Sequence, residues 1–173
     1  KSTFYQINLF LVTAALLLLG ACGPKIEKTI HISTEASAMG PFFAGPNSFI
    51  AEYEVDFSSL EGLEGVNKEQ LKEIKINNVK VILRESDSLN FDYFHSAALQ
   101  LVGANTGMQS IAIKNPISSE NQETTLDVSD EADIVEFFKN GKISFVLDLD
   151  FVDDSYADEL GAIIELDLIV KHK

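Results

Sequence analysis

At 173 residues the chain has room for one ordinary domain, with a hydrophobic core that needs no disulfide staples. Its 13 basic and 27 acidic side chains give a formal charge of −14, which repels nucleic acid and excludes it as a partner, while cations or a basic protein would be attracted. The single cysteine excludes an intrachain disulfide and a cysteine-rich metal site.

The chain opens on Lys1, and Leu9 to Leu19 then read LFLVTAALLLL, an uncharged apolar run. A membrane-spanning helix needs about 20 such residues, so the run suits the core of a signal peptide better. It ends in Leu19-Gly20-Ala21-Cys22, a branched apolar residue, two small residues and the lone cysteine. The small residues let a protease cleft accept extended backbone just ahead of the cut. This segment resembles the lipobox of bacterial lipoproteins. The resemblance implies a signal peptide over 1–21 and a diacylglycerol on the sulfur of Cys22, with a fatty acid on its new amino group. Two or three acyl chains anchor a protein stably where one does not. Residues 22–25 would be a short lipidated tether that holds the following domain close to a membrane. Gly23 stands where an Asp would favour inner-membrane retention, so the resemblance places the protein in the cell envelope, on the periplasmic face of the outer membrane.

Alternation dominates the remainder, 26–173, which reads as a single domain. Ile26, Ile30 and Ile32 alternate with polar residues and predict a first strand; residues 34–48, rich in Gly, Pro and small side chains, predict a loop. Phe49, Ala51, Tyr53, Val55 and Phe57 form one apolar face, with Glu52, Glu54 and Asp56 opposite. A short helical turn at 67–73 leads into Ile74, Ile76, Val79, Val81 and Leu83. Their parity slips at Asn77-Asn78, where a bulge would restore the facing. Residues 99–102 and 110–114 flank a turn with Gly103 and Gly107 at its ends, a hairpin signal. A weaker strand follows at 123–128. One helix is expected next, capped by Ser129 or Asp130, with Asp130, Glu131 and Asp133 in its first turn and Gly141 ending it. Ile134, Phe137 and Phe138 share its apolar face, so it would act as a lid on one end of the core. Strands at 143–152 and 162–171 complete the chain.

About eight strands with one short helix suggest an all-β fold, an antiparallel two-sheet sandwich, either Ig-like or jelly-roll-like. On that fold the expected role is a non-enzymatic binding or scaffolding module for another envelope protein, contacted through a loop or a sheet edge. The alternative is a carrier of a lipid or other hydrophobic ligand between the sheets. A hydrolytic enzyme comes third, because no constellation supports one.

The acidic stretch from Asp148 to Glu159 matches an EF-hand loop at Asp148, Asp150 and Glu159, but Val152 and Asp153 break the pattern. A looser calcium site at Asp153, Asp154, Asp158 and Glu159 stands beside the reading of a solvated acidic turn. His31, His95 and His172 are scattered. Asp92 and His95 could orient one another, but Ser96, adjacent to His95 on a strand, would point to the opposite face. No glycine-rich loop opens a helix, which removes the usual phosphate cradle. Phe42-Phe43, Phe91 with Tyr93-Phe94, and Phe137-Phe138 are core fillers or pocket linings. Phe42 and Phe43 lie in a Gly/Pro loop, where an exposed pair would be a candidate contact surface.

Overall fold

A computed structural model describes residues 26–84, 89–117, 121–130 and 132–173. Leu19, Gly20, Ala21 and Cys22 of the leader, and Glu131 of the expected helix, lie outside the described residues. The strands are β1 (Ile26–Met39), β2 (Gly45–Glu54), β3 (Leu71–Arg84), β4 (Phe94–Gly103), β5 (Gly107–Lys114) and β6 (Glu123–Val128), then β7 (Lys142–Phe151) and β8 (Glu159–His172). A helix, α1 (Val135–Asn140), precedes β7.

These strands close into one antiparallel barrel in the order β1-β2-β7-β4-β5-β6-β3-β8. The expected two-sheet sandwich is therefore incorrect, and the reason lies in β8. This 14-residue strand pairs along its length with β1, from Ile26↔His172 to Met39↔Glu159, and on its other side with β3, from Leu71↔His172 to Arg84↔Gly161. A sandwich and a barrel both bury one face of every strand, so alternation alone cannot separate them. The joins β1–β2, registered at Ser37↔Ile50, and β5–β6, registered at Ala112↔Val128 and Ile113↔Asp127, are the shortest in the ring, with β3–β6 next. Two four-stranded halves thus meet along two brief seams. The scaffolding role falls with the sandwich, since it relied in part on a sheet edge and here every strand has a neighbour on both sides.

Inward-facing side chains fill the barrel. Leu166, Leu168 and Val170 of β8, Phe145, Leu147 and Leu149 of β7, and Leu99 and Leu101 of β4 are all essentially solvent-free. The expected parity slip in β3 is present as a register shift between Ile76 and Asn78, and it turns Val79, Val81 and Leu83 back inward. The outer wall is polar and crossed by ion pairs, including Arg84–Glu35, Lys80–Glu165 and Lys171–Glu73. That polarity is the reverse of a transmembrane barrel, which is apolar on its outside.

The first strand runs past the expected loop boundary to Met39, because Thr34, Ala36 and Ala38 pair with Ile164, Ala162 and Leu160. Small residues have little strand preference of their own, and here the long partner strand decides. The helix is shorter than the sequence suggests. It begins at Val135, not near Ser129, and its start is held from a distance: Asp133 Oδ1 accepts from the N–H groups of Val135 and of Ile74 on β3, each at 3.1 Å. Gly141 ends it at φ 81°, a left-handed conformation that suits glycine.

Candidate functional site

The two ends of the barrel are built from different connections. One end carries the 55–70 connection, the 104–106 turn, α1 and the start of β1. Val135, Phe137 and Phe138 of α1 are buried there, as are Leu60 and Leu63 of the 55–70 connection. Val55 N–H donates to the Gly141 carbonyl at 2.8 Å, tying the two covers together. His172, the buried polar residue among the described ones, sits at this end with its Nε2 lacking a hydrogen-bond partner.

The opposite end, the mouth, is formed among the described residues by 40–44, 89–93, 115–117, 121–122 and 152–158. A chain of phenylalanine rings packs beneath it. Phe42 stacks on Phe49 at 5.8 Å and on Phe151 at 5.4 Å between ring centres, Phe151 meets Phe94 edge-on at 4.6 Å, and Phe94 leans on Phe91 at 5.8 Å. Such geometries suit the aromatic quadrupole and stiffen the layer.

Two of the mouth loops are zipped together. Phe42 and Ser155 exchange backbone hydrogen bonds of 2.8 Å, Gly40 N–H donates to the Asp158 carbonyl at 2.8 Å, and Ala44 N–H donates to Asp154 Oδ1 at 2.9 Å. Gly40 is required here, because a Cβ at this position would collide with the Ala157 carbonyl oxygen. The third loop is attached through Val152 N–H, which donates to the Tyr93 carbonyl at 3.0 Å, and Asn90 Oδ1 caps the turn Phe91–Tyr93 by accepting from Asp92 N–H at 3.0 Å.

Between these loops lies a cleft of about 240 Å³. Leu89, Phe151, Ala157 and Leu160 supply apolar wall, and Tyr93, Asp153, Asp154 and Ser155 supply its polar edge. A shallower groove continues from it over Asn90, Asp92, Tyr93, Val152 and Asp153, so that Tyr93 and Asp153 stand on the border of both. The cleft lies just under the roughly 300 Å³ at which drug-sized sites begin, which limits it to a short apolar group and not a whole lipid.

The residues marked in the sequence are distributed unevenly over this region. Phe42 and Phe43 part company: Phe42 is 2% exposed within the ring stack, whereas Phe43 is 60% exposed on the rim. Asp153 and Asp154 reach the cleft, and Glu159 borders a separate groove with Ser37, Arg84, Leu160 and Gly161. Asp154 is occupied in holding Ala44, and among the described residues no group of three or more His, Cys, Asp or Glu side chains gathers as a metal site would. Asp158 lends its backbone carbonyl to Gly40.

His95 is exposed beside the β4 register shift, its carbonyl accepting from Ile117 N–H at 3.0 Å. His31, by contrast, gains a partner that sequence reasoning missed. Its Nδ1 lies 2.9 Å from Asp167 Oδ1, and Asn78 donates to Asp167 Oδ2 at 3.3 Å. The hydrogen bond from His31 holds the Asp167 carboxyl below its usual range, burial opposes it, and the bond from Asn78 adds a lesser lowering. The pair is exposed on the convex outer wall, where a substrate would find no enclosing surface. Leu89, Asp92, Tyr93, Phe151 and Leu160 were missed as a group as well. They come from one connection and two strand ends, and only Tyr93, beside Phe91 and Phe94, and Asp92, near His95, carried a signal of their own.

No protein-family model matches the chain, and no curated protein matches it in sequence.

Proposed function

We propose that this barrel binds a small hydrophobic ligand at its mouth. The observation that carries the reading is the apolar-walled cleft floored by Phe151, at the one end that neither α1 nor the 55–70 connection covers. The filled interior argues for a ligand held at the rim and not one swallowed along the barrel axis. Loops joined by backbone hydrogen bonds favour binding, because little conformational freedom is left to lose when a ligand enters.

The proposal extends to how the barrel is held. With an acylated Cys22, the tether is only Gly23-Pro24-Lys25 long before β1 begins at Ile26, at the helix end. A 14-residue strand tilted as in a barrel spans about 35 Å, so the mouth would stand that far from the bilayer and face the compartment beyond it.

The test uses the four tyrosines, which report alone because the chain has no tryptophan. Titrating hexanol should produce a saturable change in tyrosine fluorescence and a rise in Tm. Ala157→Phe, which fills the cleft, should abolish both effects while the variant remains folded. Equal response from A157F, or no saturable response to a series of neutral alkanols, would remove this function.

A further inference from the structure

Five of the large hydrophobic side chains most exposed on the molecule ring the mouth: Met39 at 74%, Phe43 at 60%, Tyr93 at 50%, Val152 at 38% and Tyr156 at 82%. The charges interleaved with them have one sign. The connections 40–44, 89–93 and 152–158 contain Asp92, Asp153, Asp154 and Asp158 and no Lys, Arg or His. At the strand ends beside this rim, Arg84 of β3 is paired with Glu35 at 2.6 Å and Lys114 of β5 with Asp127 at 3.2 Å, while His95 stands exposed at the start of β4 and does not line the groove or the cleft.

Within the rim the charges are not equivalent. Asp154 is spent on Ala44, as described above. Asp92 and Asp153 are exposed, their carboxylates make no hydrogen bond or ion pair with another described residue, and both border the shallow groove in which Tyr93 lies between the two loops. The groove adjoins the apolar cleft, with Tyr93 and Asp153 in the lining of both. Apolar wall, an aromatic ring and two uncompensated carboxylates therefore follow one another along a single path.

Resting on the reading of the cleft as a hydrophobic-ligand site, we propose that the ligand is an amphiphilic cation. Its short apolar part enters between Leu89, Phe151, Ala157 and Leu160, and its ammonium or amine group stops over Tyr93 between Asp92 and Asp153. The chemistry on both sides of that division is complementary. An aromatic face attracts a cation through its quadrupole, and a concave surface bearing one sign of charge raises the local concentration of the opposite sign. The same field works against a fatty acid, whose carboxylate would meet the two aspartates with nothing basic to offset them.

Three six-carbon probes that stay monomeric separate the terms: hexyltrimethylammonium, hexanol and hexanoate, each titrated into the full chain by calorimetry. The cation should bind about tenfold more tightly than hexanol, as a desolvated cation–π contact and two nearby carboxylates allow, and hexanoate more weakly than either. The double substitution Asp92→Asn with Asp153→Asn should bring the cation down to the affinity that hexanol shows on the same variant; Asp153→Asn alone should do part of this. Raising salt from about 0.05 M to 0.5 M should erode the advantage, because exposed charges are screened. Equal binding of cation and alcohol, unaltered in the double variant, would overturn the amphiphilic cation and leave the hydrophobic site standing. Binding by none of the three probes would remove both readings. Cation binding that survives A157F would overturn the amphiphile by showing that the apolar cleft plays no part.

Discussion

At one end of the barrel Phe137, Phe138, Leu60 and Leu63 lie under a helix and a long connection; at the other, Phe42, Phe91, Phe94 and Phe151 lie one layer beneath an open cleft. Both layers bury aromatic area and both tighten a barrel end. They differ in what is placed on top. At the helix end the bonded polar groups serve the fold, with Asp133 holding the start of α1 to β3 and the side-chain amide of Gln70 donating to the Lys173 carbonyl at 3.1 Å, while the partnerless His172 Nε2 and Thr106 Oγ1 are buried out of a ligand's reach. The mouth leaves carboxylates and a tyrosine ring facing outward with little to do for the fold. Unused polar chemistry over a rigid floor is what a binding surface requires, because groups already satisfied by the protein have nothing left to offer a ligand.

This contrast can be broken most severely from the helix end. Phe138 is fully buried, and Phe138→Ala should cost about 3–5 kcal/mol of stability through lost burial and a residual cavity. Chemical denaturation measures the loss, while hexanol affinity of the folded fraction should stay as in the parent. A parallel loss of affinity would mean that the two ends are coupled and the division drawn between them is false.

A smaller effect of opposite sign is expected at His172, which is 6% exposed with an orphaned Nε2 and only a long contact of 3.4 Å from Nδ1 to the Lys173 carbonyl. His172→Leu removes the buried unsatisfied nitrogen and should raise stability by about 1 kcal/mol. A destabilised variant would show that the imidazole has a partner worth more than its burial costs.

The smallest effects come from acid. Hydrogen bonds from Ser144 and then Lys142 hold Glu52 below the usual carboxylate range, and Lys171 does the same for Glu73, as does Ser58 for Asp56. With Asp167 these groups lie on the outer wall or at the helix end. A carboxyl whose folded pKa is depressed contributes stability above its unfolded pKa, near about 4, and loses it as pH falls through the lower folded value. Tm should therefore hold between about pH 7 and pH 5 and decline below about pH 4, modestly, because exposed pairs contribute little. A Tm that stayed level down to about pH 2 would mean that these bonds add nothing.

Much of this molecule was legible residue by residue. The alternation in 49–54 and 162–171, the slip at Asn77-Asn78, the hairpin between Gly103 and Gly107 and the Phe pair of the helix all follow from side-chain period and turn chemistry, which are local properties, whereas the expected alternation at 55–57 falls beyond the end of β2. Closure was not legible, because it depends on β8 finding β1 and β3 at once, across more than a hundred residues on one side. A sandwich satisfies the same pattern of buried and exposed positions, and nothing in the alternation says where a sheet's edges go. The cleft was hidden for the same reason. Asp153 was visible as a charge and Tyr93 as an aromatic, yet neither carries any mark of the other, and only the ring of strands brings the 89–93 and 152–158 connections to one mouth. The sequence by itself determined that the chain is all-antiparallel in character, where most strands lie and which face each buries, since period and burial are read within a few residues; the partner strands decided the far end of β1 and the start of β2. Tertiary structure alone decided that the sheet closes and that its unspent carboxylates border an apolar cleft, since both rest on pairings between distant segments.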